Sequence, residues 1–164
     1  AFYVYLMQQR QRPFIYRKDK NMKKLMIMVA GAVIAMAGVA GAAEHEVKML
    51  NKGEKGVMVF EPDFLKVEPG DTIKFLVTDK GHDAQSIPGM LPDGVDGFKG
   101  KINQEVTFTV EKEGVYGIKC TPHYAMGMVM LVVAGEPVNA EAAQAVKQPG
   151  KAKAAFAELF KNIE

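Results

Sequence analysis

The residues of this chain best suited to chemistry crowd into one stretch, GIKCTPHYAMGMVM, residues 117–130. It holds the only cysteine, Cys120, a histidine three positions on, His123, and a methionine five further, Met128. A thiol, an imidazole and a thioether thus fall within nine residues. The chain has two more histidines, His45 and His82. His82 lies in TDKGHDAQS, just after the strand-like run TIKFLVT, so it too can sit at a strand end. One thiolate, two imidazoles and a thioether form a specific set. Soft sulfur combined with imidazole suits copper, and His₂Cys with a long, weak axial Met is the blue-copper electron-transfer arrangement. Cu(I) favours soft sulfur and low coordination, whereas Cu(II) favours nitrogen and tetragonal geometry. A rigid site between those preferences exchanges one electron with little bond movement.

Other readings of the same residues are weaker. Alone, a buried Cys is a small hydrophobe, a His a surface residue and a Met at a strand start a core residue. Structural zinc prefers four strong Cys, His or carboxylate ligands, and thioether is a poor one. A Cys–His nucleophile pair needs a substrate pocket and an orienting group, and neither is evident. No C-x-x-C-H stands in the sequence, which excludes covalent haem of that type. A copper enzyme would want further histidines for an open or second site, and only His45 remains, which reads as a surface residue.

The elements that must position these groups are mostly strands. TIKFLVT alternates, with Ile73, Phe75 and Val77 on one face. VTFTV sets Val106, Phe108 and Val110 against Thr107 and Thr109. VYGIKC puts Tyr116, Ile118 and Cys120 on one face, and MVMLVV (128–133), apolar on both sides, reads as a central strand. NKGEKG, EPGD, DKG and EKEG are turn signals between such runs. Short strands with turns between them predict an all-β sandwich. A tight loop between adjacent strands would bring Cys120, His123 and Met128 to one end of it. Met126, Met128 and Met130 alternate and are expected to share a face. The chain ends differently. NAEAAQAVKQ and KAKAAFAELFKN are rich in helix formers, with Asn139 as a cap for the first. Phe156, Leu159 and Phe160 form one apolar stripe on the second, expected to pack on the sandwich.

The opening quarter is of another kind. MKKLMIMVAGAVIAMAGVAGA, residues 22–42, has a basic start, an apolar run and a final Ala40-Gly41-Ala42. That is the pattern of a secretory leader, and cleavage after Ala42 would start the mature chain at Ala43. A membrane anchor is the alternative, but Gly and Ala fill the run and a cleavage site ends it. Residues 1–21 read as upstream translation or a wrongly assigned start, leaving 43–164 as the single domain. Seven Lys and Arg against one Asp precede residue 43, while 14 Lys stand against 18 Asp and Glu after it. The mature part therefore carries −4 although the whole chain carries +2. Nucleic-acid binding needs a basic surface, and nothing here demands one. Export implies an oxidising compartment, where a lone Cys either pairs with another chain, stays reactive or serves as a ligand.

These features resemble the pseudoazurins, type 1 copper proteins of the cupredoxin superfamily. The resemblance runs from VKMLNKGEKGVMVFEPDFLKVEPGDTIKF through INQEVTFTVEKEGVYGIKCTPHYAMGM to the helical tail, which plastocyanin-like relatives lack. It implies a cupredoxin-like Greek-key β-sandwich with two C-terminal α-helices. It implies one type 1 copper ion held by His82, Cys120, His123 and Met128, with His82 buried. His123 would lie just beneath a patch of Pro122, Ala125, Met126 and Gly127, where electrons enter and leave. It further implies a periplasmic, monomeric one-electron carrier rather than an enzyme, with no membrane attachment once the leader is removed. Lys52, Lys80, Lys99 and Lys119 match a lysine ring that docks acidic redox partners. In the family these are copper or haem nitrite reductase, and c-type cytochromes as donors. One departure stands out: the family usually has Asn after the first His ligand, and this chain has Asp83. An ionised Asp adds negative charge near copper and is expected to lower the reduction potential, unless it is exposed and screened. A copper storage or delivery module is the alternative function, prompted by eleven methionines, of which only Met128 has ligand spacing.

Overall fold

The computed structural model describes residues 41–163; the expected leader falls almost wholly on residues outside this range. The strands are β1 (Glu44–Gly53), β2 (Gly56–Glu61), β3 (Phe64–Val67), β4 (Thr72–Leu76), β5 (Gln85–Ser86), β6 (Val106–Thr109), β7 (Gly114–Lys119) and β8 (Val129–Ala134). Helices α1 (Ala140–Ala145) and α2 (Ala152–Phe160) follow. The strands form two four-stranded sheets, ordered β2-β1-β4-β6 and β3-β8-β7-β5. The pairs β1/β4 and β3/β8 are parallel, and the other pairings are antiparallel. Among the described residues no helix is long and apolar enough to cross a membrane.

Period-two patterning places the core. Val47 and Met49 of β1, Ile73 and Phe75 of β4 and Phe108 of β6 pack with Tyr116, Ile118 and Cys120, and with Met130 and Val132 of β8. The alternate residues of β8, Val129, Leu131 and Val133, face outward but are equally buried. They pack with Ala143 of α1 and with Ala152, Phe156, Leu159 and Phe160 of α2. That explains why MVMLVV is apolar on both sides: the sandwich covers one face and the helical tail the other. The predicted apolar stripe of α2 is the covering surface. Gly117 of β7 stays bare because the Met90 side chain fills its place; an added Cβ would lie 2.7 Å from Met90 Sδ.

Two local expectations are corrected. Asn139 does stand at the N-terminus of α1, but its side chain makes no cap. Instead Oδ1 accepts from Val115 N–H at 2.6 Å and Nδ2 donates to Val115 O at 2.9 Å. The amide thus ties the tail to β7. The three methionines do not share a face: Met128 and Met130 are buried, while Met126 is 48% exposed. A 3-10 turn at Tyr124–Met126, ended by Gly127 at φ 98°, breaks the alternation before β8 begins. Only Gly adopts that backbone without strain.

Candidate metal centre

The two segments carrying the candidate ligands meet because β5 pairs with β7. The register Gln85↔Lys119 sets the residues just before β5, including His82, beside the residue just after β7, Cys120. The following loop closes on itself. Cys120 N–H donates to Met128 O at 3.0 Å, His123 N–H to Cys120 O at 3.2 Å, and Met128 N–H to His123 O at 3.2 Å. Cys120, Met128 and His82 are fully buried, and His123 is half-buried at the mouth.

Within this frame three donor atoms converge. Cys120 Sγ lies 3.7 Å from His82 Nδ1 and 3.5 Å from His123 Nδ1, and the two Nδ1 atoms are 3.1 Å apart. First-row divalent ions sit about 2.0–2.1 Å from imidazole nitrogen and about 2.3 Å from thiolate. Near-trigonal or tetrahedral angles then separate the donors by about 3.3–3.8 Å. Both Sγ–Nδ1 spacings fall in that range, and the Nδ1–Nδ1 spacing of 3.1 Å lies just below it, so one such ion fits with a somewhat narrowed angle between the two imidazoles. Met128 adds a buried thioether to the same loop, and among the described residues no carboxylate belongs to the cluster. A donor set of two imidazoles and soft sulfur suits copper.

The protonation of the donors is set by their surroundings. His82 Nε2 lies 3.0 Å from Asn51 Oδ1. An amide oxygen only accepts, so Nε2 carries the ring proton and Nδ1 is left with its lone pair toward the cluster. Burial, then the neighbouring His123, hold the His82 pKa below its ordinary value. Cys120 is pushed up to about 11, chiefly by burial, with the charge of Asp83 adding to it and backbone hydrogen bonds from Asp83 and His123 opposing it.

Asp83 is 3% exposed. Its Oδ1 accepts from Thr121 N–H at 2.5 Å and its Oδ2 from Gln85 Nε2 at 2.9 Å. It therefore joins the His82 segment to the residue after Cys120 while remaining an acceptor only, and it is not screened by solvent. Two residues absent from the sequence reading also hold the site. One is Asn51. The other is Asn103, whose Oδ1 accepts from Gly81 N–H at 2.6 Å and whose N–H donates to His82 O at 2.9 Å. Both reach across from distant strands or loops, so no spacing signal in the chain could have found them. The remaining histidine, His45, is no bare surface group: Nε2 lies 2.8 Å from Asp71 Oδ2, well away from the cluster in sequence and on the opposite end of β1 from Asn51.

Comparison with known proteins agrees with this geometry. Residues 47–135 match the model of the family described as copper binding proteins, plastocyanin/azurin family. The chain is 54% identical over 125 residues to a pseudoazurin of Paracoccus pantotrophus, covering 76% of this chain and 86% of that one. The chain belongs to the pseudoazurin family. A family member from Methylorubrum extorquens is 47% identical over 144 residues, covering 86% of this chain and 97% of its own. The native pseudoazurin structure from Hyphomicrobium denitrificans superimposes with a TM-score of 0.71 at 48% identity, over 74% of this chain and 99% of that one. As a family member the chain is a blue copper electron carrier and not an enzyme, and its cofactor is copper.

Proposed function

We propose that His82, Cys120, His123 and Met128 hold the copper ion, and that the chain carries electrons in the periplasm to a denitrification enzyme. The observation that carries the assignment is the convergence of Cys120 Sγ and two imidazole Nδ1 atoms within 3.7 Å of one another. Bound copper supplies a one-electron Cu(I)/Cu(II) couple. The protein's part is to keep the donors still and to open one edge. Asn51 fixes the His82 ring and its tautomer, Asp83 and Asn103 fix its loop, and burial excludes water from Cys120 and Met128.

His123 provides the opening. It is the half-buried ligand, and Pro122, Ala125 and Met126 around it are exposed. This apolar rim supports docking of a redox partner against the ligand edge. Lys52, Lys80 and Lys99 are exposed, and Lys119 lies with Nζ 4.9 Å from the centre of the Tyr124 ring. Each belongs to a segment that borders the site. Lys52 follows Asn51, Lys80 precedes His82 by two, Lys99 bridges to Gln85, and Lys119 precedes Cys120. A positive border on the net-acidic mature domain favours partners with acidic faces and speeds encounter at low salt. Copper or haem nitrite reductase as acceptor and c-type cytochromes as donors fit that requirement. The leader at residues 22–42 supports export, with residues 43–164 as the mature, monomeric domain.

The deciding experiment is a visible spectrum of the mature chain with Cu(II), followed by ascorbate and reoxidation. An intense thiolate-to-copper band that bleaches and returns is expected, and Cys120→Ser should abolish it. A weak band, or copper lost on reduction, would favour storage or delivery over carriage.

A further inference from the structure

Asp71 is a buried acid with an unusual set of partners. It is 6% exposed. Its Oδ1 accepts from Ala43 N–H at 2.8 Å, and its Oδ2 lies 2.8 Å from His45 Nε2 and accepts from Glu68 N–H at 3.1 Å. Its own backbone is tied down too: its N–H donates to Glu68 O at 3.0 Å and its O accepts from Val110 N–H at 2.8 Å. Among the described residues its only ion-pair partner is His45. A buried carboxylate is favoured by a nearby permanent cation, and no lysine fills that role. The hydrogen bonds from His45, Ala43 and Glu68 already hold its pKa down to about 2.

The position of Ala43 supplies the missing charge. Gly41, Ala42 and Ala43 are all exposed, so the bond between Ala42 and Ala43 is open to a peptidase. The leader pattern ends in Ala40-Gly41-Ala42, which places cleavage at that bond. We infer that Asp71 is the receptor for the α-ammonium group created at Ala43 when the leader is removed. This rests on the leader reading given above. An endopeptidase that cuts after a small-x-small sequence adds one water across the peptide bond. The Ala42 carbonyl leaves as a carboxylate, and the Ala43 nitrogen takes up protons to become –NH₃⁺. That nitrogen already lies 2.8 Å from Asp71 Oδ1. Cleavage thus turns a hydrogen bond from an uncharged amide to a carboxylate into an ion pair between two full charges without moving the chain.

The consequence reaches the copper site along β1. The strand pairs in parallel with β4 from Glu44↔Thr72 onward, and Ala43 O accepts from Thr72 N–H at 2.8 Å. The Ala43–Asp71 contact therefore pins the first rung of the ladder. At the far end of the same strand, Asn51 holds His82. A one-residue slip would turn every β1 side chain to the wrong face. A chain that keeps its leader lacks the ammonium, so the lock closes fully only after processing.

The test is to express the full chain for export, isolate the copper-loaded protein and compare it with a variant carrying one Gly inserted after Ala42. Processing of the variant leaves Ala43 as an amide and moves the ammonium one residue outward. Intact mass first identifies each terminus; a native terminus other than Ala43 overturns the leader reading and this inference with it. With termini as expected, the insertion should lower the urea midpoint while leaving the visible spectrum unchanged, and the decrease should vanish in an Asp71→Asn background. Equal midpoints, or a decrease that persists in Asp71→Asn, overturn the Asp71 assignment while leaving the leader reading intact. If Asp71→Asn does not fold, NMR titration of the ¹⁵N-labelled terminal amine decides. A higher pKa for native Ala43 than for the inserted Gly supports the pair, and equal values refute it.

Discussion

Replacing Asn51 tests how the fold keeps one nitrogen of His82 ready for metal. The Asn51 amide oxygen, 3.0 Å from His82 Nε2, can only accept, so it holds the ring proton on Nε2. Asn51→Leu keeps much of the side-chain bulk and removes the acceptor. Without metal, the ring escapes by moving its proton to Nδ1, from which it can donate to His123 Nδ1, 3.1 Å away. With copper on Nδ1 that tautomer is closed, and Nε2–H is stranded in a side chain that is 0% exposed. An unsatisfied buried donor costs about 1–3 kcal/mol, and here the cost falls on the loaded protein alone. Copper affinity should therefore fall by about 5- to 150-fold. Asn51→Ala belongs near the lower end of that range, because residue 51 is exposed and a water can replace the lost oxygen. The assay is competition for copper against a chelator of known affinity, with urea unfolding of the metal-free protein alongside. Binding by Asn51→Leu within twofold of native would refute the reasoning. So would a metal-free protein that loses as much stability as the loaded one.

Asp83→Asn should raise the reduction potential, since an amide oxygen can still accept from Thr121 N–H while the buried negative charge is gone; an equal or lower potential in a redox titration ends that account. Gly150→Ala should destabilise the fold by about 1–3 kcal/mol. Gly150 sits at φ 49° and an added Cβ would collide with the Ala125 carbonyl; an unchanged urea midpoint would show that the tail is not seated on that loop. Exchanging Lys52, Lys80, Lys99 and Lys119 for Gln should slow electron transfer to an acidic partner at low ionic strength, with the gap closing as salt shortens the Debye length below about 10 Å. Equal rates at low salt would remove the lysines from docking. The Asp71 carboxyl is held at about 2, below its ordinary 3.8, first by His45 and then by Ala43 and Glu68. A folded pKa below the unfolded one gives stability that is present above about pH 4 and lost as pH falls toward about 2. Asp71→Asn should thus be less stable than native at pH 6 and converge with it in acid; a constant gap would contradict the linkage.

What the sequence reveals and what it hides divide along a physical line. Cys120, His123 and Met128 are legible because one loop carries all three, so spacing alone brings them together. The sheet faces are legible because strands alternate: Ile73, Phe75, Phe108, Tyr116 and Ile118 all lie in the core as the pattern predicts. Val115 escapes that pattern, since its outward face is buried by a tail whose docking position no local signal encodes. His82 is legible by its type and its place after a strand. Its fixing partners Asn51 and Asn103 are not, because each meets it through tertiary pairing rather than sequence distance. Asn139 shows the same limit from the other side. Local chemistry names it a helix cap, and the nearby edge of β7 offers its amide a better pair of partners.

The ties around the site come from separate elements, and that bears on what a carrier needs. The β5/β7 ladder aligns the two ligand segments, Asp83 joins them, Asn103 holds the His82 loop and Asn51 reaches in from the other sheet. The fifth tie is the helical tail. Lys151 N–H donates to Ala125 O at 2.9 Å, and the Tyr124 hydroxyl donates to Gln148 Oε1. Both contacts fall on the short loop between His123 and Met128. Of the four proposed ligands His123 lies nearest solvent, so its loop has the least core to restrain it. Low reorganisation in a one-electron exchange requires that this loop move no more than the buried ones. The tail therefore does more than cover an apolar sheet face: it braces the one side of the metal centre that the sandwich leaves open.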